Sequence, residues 1–358
     1  MISKDMSVSL VLLLRSEWIR LASVVVACML SGCYSLKQVY YHGNLLSTRK
    51  PINVLLWNYD TDPQLKKDLE FVKDVILYAK KSGLASGMAY RTYIQSPYPY
   101  VSYTVQAAQP LEMELKKWSF PLLGEVPYLG FFHPENRDEK AKELKKFGYD
   151  VYKGAAGAFS SLGWYDDPVY SSMLRRSKAS LAHLLFHELT HRTFWIPDDA
   201  NLNEHMAEFV AGVLTPRYLK AHNMLEELKE YQQSEEDRLL FKSWLRSLKS
   251  SLEALYAQDH PQQLKLLEKQ KIFTRFLKDR LPKFNTKGYQ RLQNLEWNNA
   301  RVLAYALYEP QTEPFEAAFA CSKSKEVGSF LRRLEGIMEN TKDIPKALDQ
   351  MCDKGKVY

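Results

Sequence analysis

In the run Ala182-His-Leu-Leu-Phe-His-Glu-Leu-Thr-His191, His187 and His191 stand four residues apart. On a helix both imidazoles therefore leave the same face, one turn apart. Two rings so placed make a two-toothed grip for a zinc ion. Glu188, one position past the first ring, projects near the metal without ligating it and can take a proton from an attacking water. With eight histidines and 42 acidic residues in 358, chance supplies roughly 0.02 such patterns per chain. The flanking residues are apolar and helical in pattern, the setting in which a buried metal grip has to be built.

A catalytic zinc usually takes three protein ligands and keeps one position open. The segment Leu202-Asn-Glu-His-Met-Ala-Glu-Phe-Val210 starts a second helical pattern shortly after His191, leaving room for a turn and a return, and Glu204 is its candidate third ligand. Glu208, one turn further along the same face, is placed to accept the second ring N–H of a ligand histidine and so fix its tautomer. His205 points about 100° away from Glu204 and reads as a neighbour. His183 shares the ligand face but has no glutamate beside it, and reads as a core histidine or one that supports the ligands.

The elements that must position these residues read as an α+β fold, a small mixed sheet followed by the His187 helix and a mainly helical C-terminal part. Asp62-Pro63 with Leu65, Leu69, Val72, Val75 and Ile76 predicts an amphipathic helix stopping near Gly83. Tyr- and Val-rich stretches predict strands over 98–105 and 150–161, separated by a charged helix over 136–147. From Lys178 onward the pattern is helical. The Lys/Glu/Leu-rich stretch 224–281 is interrupted at Pro261 and Pro282 and drifts in its apolar spacing, which favours packed bundle helices over a coiled coil. The boundaries read as 1–32 for a leader and 33–358 for one domain, mixed α/β over 33–175 and mainly helical, with the zinc site, over 176–358.

Hydrophobic residues at 46% and charged residues at 25% suit a folded globular domain. The net charge of +7 is dispersed without a Lys/Arg block, so nucleic-acid binding is not indicated. Lys4, Arg15 and Arg20 precede the apolar run of residues 21–30, which has the length of an export signal and is short for a membrane span. The sequence Leu30-Ser-Gly-Cys33 resembles a bacterial lipobox. That resemblance implies cleavage before Cys33, a lipid on Cys33 and attachment to the cell envelope; Tyr34 after it implies the outer membrane, facing the periplasm. Of the remaining cysteines, Cys28 falls in the leader, and Cys321 and Cys352 can pair in an exported protein, a staple slightly preferred over two separate thiols.

The site resembles that of gluzincins, in which His-Glu-x-x-His is followed by a ligand glutamate in an Asn-Glu helix. The resemblance extends to a family of bacterial lipoproteins predicted to be aminopeptidases, through Gly32-Cys33, Pro127 to Phe132, Gly157 to Ser161, Leu162 to Pro168, Asn203-Glu204, Trp297-Asn-Asn-Ala-Arg301 and Tyr308. It implies zinc-dependent hydrolysis of peptides, with an edge strand at 156–162 that holds the substrate backbone. It also implies a tyrosine that stabilises the oxyanion, for which Tyr308 is the candidate and Tyr305 the nearest rival. The loop from Trp195 to Ala200 is more acidic than the family pattern. Spacing alone does not reveal a carboxylate for a substrate amine, so an envelope endopeptidase and a peptide-binding lipoprotein without turnover stay open as alternatives. Manganese, cobalt or iron also suit such N/O donors.

Overall fold

The computed structural model describes residues 41, 43–120, 124–156, 166–197, 199–307, 310–322, 324–341 and 343–352. The leader, Cys33, Tyr308 and most of the expected substrate-holding edge, 157–162, lie outside these residues. Among them, no helix is long and apolar enough to cross a membrane.

The N-terminal half bears out the small sheets of an α+β fold. Strand β1 (Lys50–Pro51) leads into α1 (Ile52–Trp57) and α2 (Pro63–Lys81), followed by β2 (Thr92–Ile94), β3 (Ser102–Ala108), β4 (Trp118–Phe120), β5 (Gly124–Val126) and β6 (Leu129–Phe131). Then come α3 (Pro134–Lys146), β7 (Asp150–Ala156) and β8 (Val169–Tyr170). One sheet has the order β1-β2-β8, antiparallel then parallel; a second, β6-β3-β7, is antiparallel; β4 and β5 form a hairpin. The strand expected from 98 starts at Ser102 instead, because Pro97 and Pro99 have no N–H to give a ladder. The expected helices at 62–83 and 136–147 are α2 and α3. Asp62 caps α2 by accepting from Leu65 N at 2.9 Å, and the proline in the first turn of each helix costs no hydrogen bond there.

The remainder is helical: α4 (Lys178–Thr193), α5 (Ala200–Ala221), α6 (Leu225–Tyr256), α7 (Gln262–Asp279), α8 (Lys287–Gln290), α9 (Asn299–Leu307), α10 (Glu313–Cys321), α11 (Val327–Met338) and α12 (Ile344–Cys352). Pro261 caps the start of α7 and Pro282 follows its end, as the interrupted pattern requires. Cys321 and Cys352 are joined in a disulfide, Cα–Cα 5.0 Å, that ties α10 to α12.

Among the described residues the hydrophobic core falls into four clusters, two larger and two smaller. The largest packs α2, α4 and α5 with α10–α12 around buried Leu69, Val75, Leu185, Phe186, Phe209 and Phe330. The second gathers Trp244 and Leu248 of α6, Phe276 of α7, Val302 of α9 and Trp297 from the segment just before α9. At the end of α2 the chain turns through Gly83 with φ +91, and a side chain here would have its Cβ 2.6 Å from Gly328 Cα, so α11 can approach only a glycine. The stretch Trp297 to Arg301, part of the family resemblance, clamps the two halves together. Asn298 Nδ2 donates to Val151 O at 3.0 Å, Asn299 N donates to Asp150 at 2.9 Å, and Asn299 Nδ2 reaches three carbonyls over 109–112.

Candidate metal centre

Helix α4 starts at Ser177, whose Oγ accepts from Ser180 N at 3.3 Å, and buries Leu181, Leu185, Phe186 and Leu189 on its core side. His183, His187 and His191 recur every four residues on the other side. Lys178 bonds Asp68 of α2 at 2.5 Å and fixes the entry of the helix. Helix α5 returns against α4 after a short loop, and one buried residue sets that loop. Asn203 is 1% exposed; its Oδ1 accepts from Ile196 N at 2.8 Å, and its Nδ2 donates to Ile196 O at 2.7 Å and Asp199 O at 2.9 Å. Asp199 caps α5 by accepting from Leu202 N at 3.0 Å, which gives one of the acidic loop residues a structural reason.

The return brings Glu204 and Glu208, themselves one turn apart, opposite the histidines. His187 Nε2 lies 3.2 Å from Glu204 Oε2, His191 Nε2 lies 3.4 Å from Glu204 Oε1, and the two imidazole Nε2 atoms are 3.2 Å apart. His187, His191 and Glu204 form a group able to hold a metal ion, with donor atoms all within 4.8 Å of one another. A tetrahedral ion with bonds of about 2.0–2.1 Å sets its ligands about 3.3 Å apart. The separations of 3.2–3.4 Å match that edge, and two ring nitrogens converging on one point are the donors zinc prefers. The residues therefore fit the ion.

His187 Nδ1 lies 3.4 Å from Glu208 Oε2, the contact expected of a carboxylate that orients a ligand ring. His183 Nε2 meets the same oxygen at 3.2 Å. His205 turns away, and its Nδ1 accepts from Gln311 N at 3.3 Å. Burial works against a charged His187, but hydrogen bonds to Glu204 and Glu208 and the charge of Glu188 outweigh it and raise its pKa to about 10. Partial burial likewise opposes the charge on Glu204, but its hydrogen bonds to His187 and His191 bring it down to about 2. Glu208 is held far below the ordinary carboxylate value: its burial is outweighed by His183 and His187. Without an ion, the cluster holds a proton where a cation would sit; its field favours positive charge.

Glu188 places a buried carboxylate oxygen beside this group. Near it is Tyr90, a residue that no motif announced. Tyr90 is 4% exposed, has φ +58, and its N donates to Asp167 O at 2.7 Å. Burial first, then the charges of Glu188 and Asp167, keep its hydroxyl protonated well above the usual tyrosine value. A bulky residue at positive φ costs on the order of 1–3 kcal/mol, so the surrounding packing must hold it there. Tyr305, the rival for oxyanion stabilisation, packs with Phe241 and Trp297 at ring distances of 5.4 and 5.8 Å in the second core. A cavity of about 700 Å³ between Leu45, Leu65, Tyr93, Tyr98 and His133 shares no lining residue with the metal-ligand group.

The model of a family described as "Putative aminopeptidase" matches residues 33–347, and the chain belongs to that family. No curated protein and no solved structure matches it.

Proposed function

From that membership, which makes hydrolysis of peptides the reaction class, we propose that the protein is a zinc metallopeptidase that removes N-terminal residues from peptides. The observation that carries the reading is the convergence of His187, His191 and Glu204 at 3.2–3.4 Å with Glu188 next to them. His187 and His191 would hold the ion through their ring nitrogens, and Glu204 through its carboxylate. When bound, zinc supplies a Lewis acid that makes water nucleophilic at neutral pH and polarises the scissile carbonyl. Glu188 takes a proton from the attacking water and returns it to the departing amine. Glu208 holds the Nδ1–H of His187, which leaves Nε2 unprotonated for the ion. Tyr308 is assigned the stabilising of the oxyanion, on the resemblance alone.

The same proposal anchors the protein in the bacterial envelope through a lipid on Cys33, in the outer membrane on the periplasmic side. The family match supports it by starting at Cys33, where cleavage of the leader would start the mature chain. Cys33→Ser should leave the protein in the soluble fraction, and unchanged membrane recovery would refute the anchor.

The test of the activity uses soluble protein starting after Cys33 with a peptide mixture bearing free or acetylated N-termini, read by mass spectrometry beside Glu188→Gln. Trimming confined to free N-termini and to the wild type establishes the reading. Internal cuts indifferent to acetylation would replace it with an endopeptidase, and no cleavage by zinc-loaded protein would replace it with a binding role.

A further inference from the structure

The polar contacts do not stop at Glu208. His183 lies one turn before His187 on α4, and its Nε2 is 3.2 Å from the Glu208 oxygen that faces His187 Nδ1. Its other nitrogen, Nδ1, is 3.0 Å from the hydroxyl of Tyr231 on α6. The rings of His183 and Tyr231 are 5.8 Å apart. The side chains of His183 and Glu208 are only 20% and 22% exposed, so water competes poorly for these bonds.

Proton bookkeeping gives this line a direction. For His187 to offer Nε2 to a metal, its Nδ1 must carry the proton and donate to Glu208. The same carboxylate accepts from His183 as well, so His183 carries its proton on Nε2. A neutral His183 then has a lone pair on Nδ1, and Tyr231 must donate to it. We propose that Tyr231 and His183 are positioning residues of the metal centre: Tyr231 selects the His183 tautomer, His183 fixes Glu208, and Glu208 fixes the ring and tautomer of His187. The inference rests on the metal reading of the site and adds two residues, on two helices, that touch neither ion nor substrate. It also explains why α6 is packed against the zinc helix through a tyrosine rather than through an aliphatic residue, which would fill the space but could not donate.

Tyr231→Phe keeps the ring and removes only the donor. In metal-free full domain titrated with zinc against a chromophoric chelator, this variant should bind zinc about tenfold more weakly, the lower end of the ~10–100-fold cost of losing an outer partner of a ligand. Its metal-free thermal midpoint should match the wild type. In Glu208→Gln, adding Tyr231→Phe should change zinc affinity no further, because the link to His187 is already cut. In the wild type, ¹⁵N NMR should find His183 neutral with its proton on Nε2. Unchanged zinc affinity in Tyr231→Phe, an effect that persists undiminished on Glu208→Gln, or a proton on His183 Nδ1 alone would each overturn the relay. A wild type that binds no zinc would refute the metal reading itself, a result distinct from these.

Discussion

The clusters around Asp150 and around His187 both hold charged side chains between packed elements, and they differ in how their hydrogen bonds close. At Asp150, Lys269 Nζ bonds the carboxylate at 2.5 Å and Pro110 O at 2.8 Å, and Asn299 N donates to the same carboxylate. Asn299 Oδ1 accepts from Tyr256 at 2.8 Å while Nδ2 reaches carbonyls across the gap. Each charge there meets its opposite. At His187, by contrast, three carboxylates (Glu188, Glu204 and Glu208) surround two imidazoles whose Nε2 atoms face each other at 3.2 Å. The buried Nδ1 of His191 has no hydrogen-bond partner among the described residues. A closed network holds a fold together; one whose donor atoms converge on a point, as those of His187, His191 and Glu204 do, is able to hold a metal ion.

The sharpest separation of the two comes from single changes that should spare the opposite region. Glu188→Gln should lower kcat by ~10²–10⁴-fold, the usual worth of a general base, with zinc content and thermal midpoint unchanged. Full activity in this variant would break the assignment. Asp150→Asn should do the reverse. It strips the counter-charge from Lys269, which is 7% exposed, and should cost about 3 kcal/mol in denaturant melts while the zinc affinity of the folded protein holds. An equal loss of zinc binding would mean that the clamp and the site are one unit. Asn203→Ala lies between the two: it orphans Ile196 N and O in the loop and should cost about 2 kcal/mol and weaken zinc binding together, because the same loop aims Glu204.

The smallest expected effect is a pH signature of the metal-free protein. His187 has a folded pKa of about 10 against an ordinary value of 6.5. Its contribution to stability is whole below pH 6.5 and is lost as pH rises through 10. Glu204 sits at about 2 against 4.5, so its contribution is whole above pH 4.5 and is lost as pH falls through 2. The metal-free thermal midpoint should therefore gain most from this cluster between pH 4.5 and 6.5 and fall above it. Saturating zinc, which replaces the proton, should remove the fall on the alkaline side. An identical decline with and without zinc would show that the ion does not bind where the proton does.

The His187 helix, the partner helix of Glu204, α2 and α3 were legible because each is written in local terms: four-residue spacing, a capping aspartate or serine, a proline in the first turn. The start of β3 differs from the sequence reading because Tyr98 and Tyr100 look like strand residues, while Pro97 and Pro99, on either side of Tyr98, have no N–H to give a ladder. His183 reads from the sequence as a core histidine or one that supports the ligands, and its contact with Glu208 is of the second kind. The available signal was the match of two ladders, histidines at 183, 187 and 191 against glutamates at 204 and 208, which an antiparallel helical hairpin brings face to face. Tyr231 and Tyr90 carried no signal at all. Among 22 tyrosines, nothing local marks the one that reaches His183 from a third helix or the one held at positive φ beside Glu188.

The sequence by itself determined that His187, His191 and Glu188 share one helix, with both rings on one face, and offered Glu204 as their partner, because spacing along one helix converts directly into placement on one face. Tertiary structure decided the rest: that Asn203 folds the loop so that Glu204 meets both rings, that Glu208 serves two histidines at once, and that Asn299 joins the halves through Asp150. Those contacts link residues distant in the chain, and their geometry depends on how whole helices pack, which no local pattern encodes.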